Sequence, residues 1–210
     1  CRSRDFQVNT TEDGAEKNPA VAVFDDGGFV VVFEDETYES PSYTDVRFRR
    51  YDRRGNPLDA QDRLLCETAA GIQIEPDVAA LPDGGFAAVY AENSSGGGDL
   101  FDVKLRIFDA TGTPFRTVTV NTASFGTQTA PRVKYLAVSA NLLVAWEDQA
   151  TLAGKVKLRR YDTAGMAIEV EEEDLSSADL AHESQPDAAQ AADGRFLAVW
   201  TGSEDGTSTQ

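Results

Sequence analysis

The chain is poor in the residues that carry most familiar catalytic and metal chemistry. It has one histidine, one methionine and two cysteines among 210 residues. Cys1 and Cys66 show no C-x-x-C or related spacing, so cysteine-rich zinc sites are excluded. Basic residues are scarce: 19 Lys and Arg stand against 36 Asp and Glu, a formal charge of −17. A chain this acidic is repelled by phosphate backbones, so nucleic acid is not expected as a partner. Cations, basic proteins or simple solvation account for the acidity instead. Long apolar runs are missing too. No stretch approaches the ~18 residues that span a bilayer, and no transmembrane segment is expected.

What remains favours β-structure. Apolar residues make up 41%, with 11 Phe and 6 Tyr, enough for a sizeable core and too many for a disordered chain. Seventeen glycines and eight prolines, set among Val, Thr and aromatics, suit strands joined by tight turns.

A repeat of about 55 residues organises the chain, the kind of period that marks propellers, solenoids and arrays. The first block reads NPAVAVFDDGGFVVVFED from Asn18, EPDVAALPDGGFAAVYAE from Glu75, APRVKYLAVSANLLVAWED from Ala130 and QPDAAQAADGRFLAVWTG from Gln185. Pro19, Pro76, Pro131 and Pro186 are spaced 57, 55 and 55 apart. A closing aromatic recurs at Phe33, Tyr90, Trp146 and Trp200. The second block reads DVRFRRYDRRGNP from Asp45, DVKLRIFDATGTP from Asp102 and KVKLRRYDTAGMA from Lys155. A third block, FQVNT at Phe6, RLLCE at Arg63 and VTVNT at Val118, degenerates to EDLSS at Glu173.

Each unit predicts four antiparallel strands. Asp25-Asp26-Gly27-Gly28 and Pro82-Asp83-Gly84-Gly85 are hairpin turns, Asp-Gly supplying the positive φ such turns need. The runs that follow, Phe29 to Phe33 and their counterparts, read as strands buried on both faces. The second block alternates, Val46 and Phe48 against Arg47 and Arg49, as a half-exposed strand does. The third block closes the unit, and Phe6 to Thr10 is expected as one such outer strand. The fold expected is all-β: a β-propeller of four-stranded antiparallel blades, four visible and the last incomplete, either a four-bladed ring or a fragment of a larger one. After a tail over residues 1–5, the units run about 6–62, 63–117, 118–172 and 173–210.

This pattern, PxVAxLxDGGFVVxW, then VxxRxYDxxGxP, then FxVNT, resembles the repeats of large secreted bacterial surface proteins. The resemblance covers nearly the whole chain after Arg4. Copy three departs from it by lacking the Asp-Gly-Gly turn, and copy four by losing Val-Asn-Thr. It implies a propeller-like fold and an extracellular, periplasmic or cell-surface setting, often beside adhesin or calcium-binding modules, and it does not imply an enzyme activity.

No catalytic constellation stands out. His182 reads as a loop histidine, with no triad partners signalled by Leu180 to Ser184. The sialidase box S-x-D-x-G-x-T-W is absent. The Asp/Gly-rich connections Glu34 to Asp45, Glu92 to Asp102, Glu147 to Lys155 and Gly202 to Gln210 could offer oxygens to Ca²⁺, though none has EF-hand spacing. The basic rows Arg47/Arg49/Arg50, Lys104/Arg106 and Lys157/Arg159/Arg160 recur at one repeat position, as structural pairs would. Cys1 is a candidate lipid-attachment residue, and a Cys1–Cys66 disulfide is the other use for the pair. The expected function is a non-enzymatic scaffold that binds a protein or glycan partner. The alternatives are a glycosidase-like propeller enzyme whose site the sequence does not reveal, and a structural subunit of a larger complex.

Overall fold

The computed structural model describes residues 5–10, 14–36, 44–67, 70–93, 100–122, 125–150, 154–175 and 182–203. Fourteen strands follow in order. They are β1 (Ala15–Val23), β2 (Phe29–Glu36), β3 (Asp45–Tyr51), β4 (Arg63–Leu64), β5 (Ile72–Ala80), β6 (Phe86–Asn93) and β7 (Asp102–Phe108). Then come β8 (Pro114–Thr119), β9 (Gln128–Leu136), β10 (Asn141–Asp148), β11 (Lys155–Asp162), β12 (Glu173–Asp174), β13 (His182–Gln190) and β14 (Phe196–Ser203). They make four antiparallel meanders: β1-β2-β3-β4, β5-β6-β7-β8, β9-β10-β11-β12 and the two-stranded β13-β14. The expected all-β class and four-strand unit are what the structure contains.

The third block closes the sheet before it, as expected: Arg63 and Leu64 pair with Phe48 and Arg47. Two placements differ from expectation. Phe6 to Thr10 forms no strand; it lies against the first sheet, Phe6 packing on Phe29 and Tyr51 at centroid distances of 6.3 and 5.2 Å. His182 opens β13, paired with Ser203, rather than lying in a loop.

The turns follow their residues. Gly27 and Gly84 sit at φ of 85° and 83°, and the carboxylates of Asp26 and Asp83 accept the amides of Gly28 and Gly85. Gly85 has a second reason: a Cβ there would lie 2.4 Å from the carbonyl oxygen of Phe108 on the third strand. The fourth sheet has Arg195 in that place, where no third strand stands among the described residues. Copy three, which lacks the Gly pair, turns through Ala140 at φ 54°.

Each junction between sheets is dry and apolar. Val30, Val32 and Phe48 of the first sheet meet Phe86, Ala88, Tyr90 and Phe108 of the second. Ala87, Val89, Leu105 and Ile107 of the second meet Val144, Trp146 and Tyr161 of the third. Leu143, Ala145 and Leu158 of the third meet Ala188 of the fourth. Burying such side chains contributes about 1.5–3 kcal/mol each.

The basic rows hold these junctions. Arg49, Arg106 and Arg159 donate to the backbone carbonyls of Val8, Leu65 and Val120, each in the closing block of the preceding unit, at 2.9, 2.7 and 3.3 Å. Each guanidinium also lies over the ring two residues on, Tyr51, Phe108 or Tyr161, at 5.7, 5.5 and 5.8 Å. Tyr51 and Tyr161 donate their hydroxyls to the same carbonyls as their arginines. The neighbouring rows pair within their own sheets: Arg50 with Asp59, Arg160 with Glu169, Arg47 with Asp35, and Lys157 with Asp148 and Glu172. The structural role expected of these residues is what they perform.

Cys66 is a free thiol buried beneath the first junction, so the Cys1–Cys66 disulfide is not formed. Cys1, the candidate lipid site, lies outside the described residues. Burial pushes the Cys66 thiol up to about 12, with Asp45 adding to the shift.

Two outcomes follow from these contacts. Arg106→Met removes a charged donor from the Leu65 carbonyl and should cost about 1.5–3 kcal/mol, read by urea denaturation. In a Cys1→Ser background, Cys66 should stay unreactive to a disulfide reagent at pH 8 until denaturant is added; rapid reaction of the native protein would contradict the burial.

Candidate functional site

The first strands of the sheets carry a repeated backbone kink. The residue before each repeat proline is left-handed: Asn18 at φ 46°, Glu75 at 57°, Ala130 at 48° and Gln185 at 55°. The pairing register shifts at the same place in each hairpin, between Lys17 and Ala20, Ile74 and Asp77, and Ser184 and Asp187 on the first strand. A bulge of this kind leaves one residue outside the ladder and turns its amide elsewhere.

That amide is taken by a carboxylate of the preceding sheet. Glu34 accepts from the Glu75 amide at 2.5 Å, Glu75 from the Ala130 amide at 2.6 Å, and Glu147 from the Gln185 amide at 2.7 Å. Glu34 and Glu147 occupy one position, just after the closing aromatic of the second strand. In the second sheet that position is Ala91, and Glu75, on the kink itself, supplies the carboxylate instead. Asn18 adds a donor to Glu34 at 2.9 Å, and Asp77 accepts the Val133 amide at 2.9 Å.

Between the first three kinks lies a cavity of about 380 Å³. Its wall is Asn18, Pro19 and Ala20 from β1, Glu75, Pro76 and Asp77 from β5, and Ala130 and Arg132 from β9. The kink turns these residues inward, and the prolines hold the backbone there. The cavity is nearest the end where the second and third strands are joined by the Asp/Gly-rich connections. The central parts of those connections lie outside the described residues, and with them the Ca²⁺ sites considered there. Among the described residues no group of three or more His, Cys, Asp or Glu side chains is placed to hold a metal ion.

Electrostatically the cavity is divided. Burial pushes the Glu75 carboxyl above the ordinary glutamate range, and the neighbouring charges of Glu147 and Glu34 push it further, against the Ala130 amide bond and the weaker pull of Arg132. Burial also raises Asp77, while the Val133 amide, Lys134 and Arg132 oppose it. One carboxyl therefore stands among negative neighbours and the other among positive ones. Burial holds both carboxyls above their ordinary range, and only at Asp77 do neighbouring cations pull the other way. None of these residues is singled out by the sequence reading. The signal lies in the residue before the repeat proline, which varies as Asn, Glu, Ala and Gln within an otherwise steady motif.

No protein-family model and no curated protein matches this sequence. Solved structures match its fold. A Dyadobacter fermentans protein of unknown function aligns over 93% of this chain with a TM-score of 0.67 at 11% identity, and 64% of that protein is covered. The GH93 α-L-arabinofuranosidase of Fusarium graminearum, solved with arabinobiose, aligns over 93% with a TM-score of 0.67 at 11% identity, 59% of it covered. The α-L-arabinanase of Penicillium chrysogenum, also with arabinobiose, aligns over 93% with a TM-score of 0.67 at 12% identity, 60% of it covered. The chain thus spans 59–64% of the length of these structures. At such identity the likeness is one of fold. It corrects the expectation of a non-enzymatic scaffold: the two of these structures with a stated activity process glycans, so the fold no longer speaks for a purely passive module.

The raised pKa of Glu75 has a sign that can be checked. Its folded value lies above the unfolded one, so its contribution to stability is full below about pH 4.5 and is lost as pH rises through the folded value. Glu75→Gln, which keeps an oxygen for the Ala130 amide, should therefore gain in Tm relative to wild type between pH 4 and pH 7.5. A constant difference across that range would show that Glu75 is not shifted upward.

Proposed function

We propose that the four sheets are consecutive blades of a β-propeller, and that the chain is part of a secreted glycan-processing enzyme whose sugar site is the cavity between the first strands. The observation that carries this reading is the pair Glu75 and Asp77, two carboxyls lining one cavity and both raised by burial, the first with negative neighbours and the second with positive ones. Cleavage of a glycosidic bond calls for such a pair. One carboxyl protonates the leaving oxygen, and a second, ionised, meets the charge that develops on the sugar ring. Glu75, held up by burial and by Glu34 and Glu147, is suited to the first role. Asp77 is the candidate for the second: burial holds its carboxyl above the ordinary range, and the Val133 amide, Lys134 and Arg132 favour its ionised form against that burial. Arg132 and Asn18 line the same cavity and offer donors to sugar hydroxyls. Solved glycan-processing enzymes of this fold support the assignment. The likeness of the repeat to those of large secreted bacterial proteins supports the extracellular setting.

The test is turnover of a panel of aryl glycosides and plant and animal polysaccharides by the chain, with Glu75→Gln and Asp77→Asn beside it. Each variant should lose activity by about 10²–10⁴-fold in kcat with little change in KM. Unchanged turnover in both variants, or neither binding nor turnover of any glycan by the wild type, would overturn the reading.

A further inference from the structure

The position after each repeat proline carries Ala20, Asp77, Arg132 and Asp187 in the four units. The two aspartates are used within the fold. Asp77 accepts the Val133 amide of the next sheet at 2.9 Å. Asp187 meets Lys134 at 3.2 Å and accepts the Ala188 amide at 2.8 Å. Arg132 is the exception. A guanidinium has no acceptor atom, so Arg132 cannot repeat toward the fourth sheet the bond that Asp77 makes toward the third. It stands instead in the wall of the cavity of about 380 Å³, with Asn18, Glu75 and Asp77.

Arg132 is also uncommitted where comparable cations are not. Arg47, Arg50, Lys157 and Arg160 each pair with a carboxylate. Arg49, Arg106 and Arg159 donate to backbone carbonyls of the preceding unit. Among the described residues Arg132 makes no ion pair, and its one hydrogen bond runs from Nη1 to the carbonyl of Pro131, its own chain neighbour, at 2.9 Å. Most donor hydrogens of the guanidinium are therefore left to the cavity. Its charge is also the fixed one there. Burial disfavours the ionised forms of Glu75 and Asp77, so the wall is less negative than its carboxyls suggest. The guanidinium stays protonated throughout.

We infer that the cavity takes a sugar ring bearing a carboxylate, and that Arg132 binds that group. This rests on the glycan-processing reading of the same cavity and names its substrate class: acidic rather than neutral glycans. The planar fork of a guanidinium matches the two oxygens of a carboxylate and holds it bidentately. Prolines and alanines make up much of the remaining wall, so such a bond sets the orientation of the ring as well as adding affinity. The volume, about 380 Å³, lies within the roughly 300–1,000 Å³ of small-molecule sites. Arg132 is on β9, and Glu75 and Asp77 are on β5. The group that orients the sugar and the pair that would act on it thus come from different sheets.

The experiment is isothermal titration calorimetry of the chain with two acidic oligosaccharides, trigalacturonate and sialyllactose. Each is run beside its methyl ester, in which the carboxylate is masked and the rest of the sugar is the same. The wild type should bind the free acid of one series about 10–100-fold more tightly than its ester, the range of a hydrogen bond to a charged group. The series that shows the preference identifies the source of the carboxylate. Arg132→Gln keeps amide donors without the charge and should lose that preference, with circular dichroism showing it folded. If it does not fold, Arg132→Lys, which keeps the charge without the fork, takes its place and should narrow the preference. Equal binding of acid and ester by the wild type would overturn the inference and leave the glycan-processing reading standing. Turnover of neutral glycans with no binding of either acid would do the same. Neither binding nor turnover of any glycan would overturn both. A preference that survives in folded Arg132→Gln would overturn the role given to Arg132.

Discussion

A four-stranded sheet of this size cannot bury both of its faces, and the whole molecule follows from that shortfall. Each sheet is apolar on two sides and becomes stable only between neighbours, so the junction, more than the sheet, is the unit of the structure. The junctions of this chain are held at two places by different chemistry. At the outer edge an arginine reaches back to a carbonyl of the preceding unit, Arg49 to Val8 and Arg159 to Val120. At the inner edge a carboxylate reaches forward to an amide of the following unit, Glu34 to Glu75 and Glu147 to Gln185. Both bonds are charge-assisted and both end on backbone, so they set the register of neighbouring sheets whatever side chains fill the apolar layer between them.

This division also explains the charge pattern. Much of the basic minority is spent within the fold: Arg47, Arg50, Lys157 and Arg160 pair with carboxylates on their own sheets. The acidic excess is left to the surface, the connections and the cavity between the first strands. The net charge of −17 is therefore less a statement about partners than a result of where the cations are used.

Much of the fold was legible because its signals are repeated. Proline, Asp-Gly turn, closing aromatic and Y/F-D-x-x-G recur at near-constant spacing, and each recurrence confirms a strand or a turn. Phe6 to Thr10 reads as a strand but forms none, because the block that pairs in three units has no partner strand there among the described residues. The candidate site was not legible. Its carboxylates come from different blocks of different units, Glu34 from a second strand and Glu75 from a first, and their meeting depends on how sheets stack. The substitution of Ala91 for glutamate, made good by Glu75 one strand away, looks like noise in a linear comparison; its meaning is visible only across the junction. Cys66, by contrast, reads in sequence as a candidate for a disulfide and in space as a small apolar filler.

The kink before each repeat proline has one more consequence. Its geometry is fixed by the bulge and by the amide it sends to the neighbouring sheet, not by its own side chain. Asparagine, glutamate, alanine and glutamine all occupy it in this one molecule. Non-glycine residues are uncommon at positive φ and branched ones are outliers there, so unbranched side chains are the ones this position can exchange. The architecture therefore reserves, once per unit and in the first three units beside one cavity, a place where the chemistry can be rewritten while the scaffold stays as it is, so that new specificities can arise by exchanging single residues on an unaltered frame.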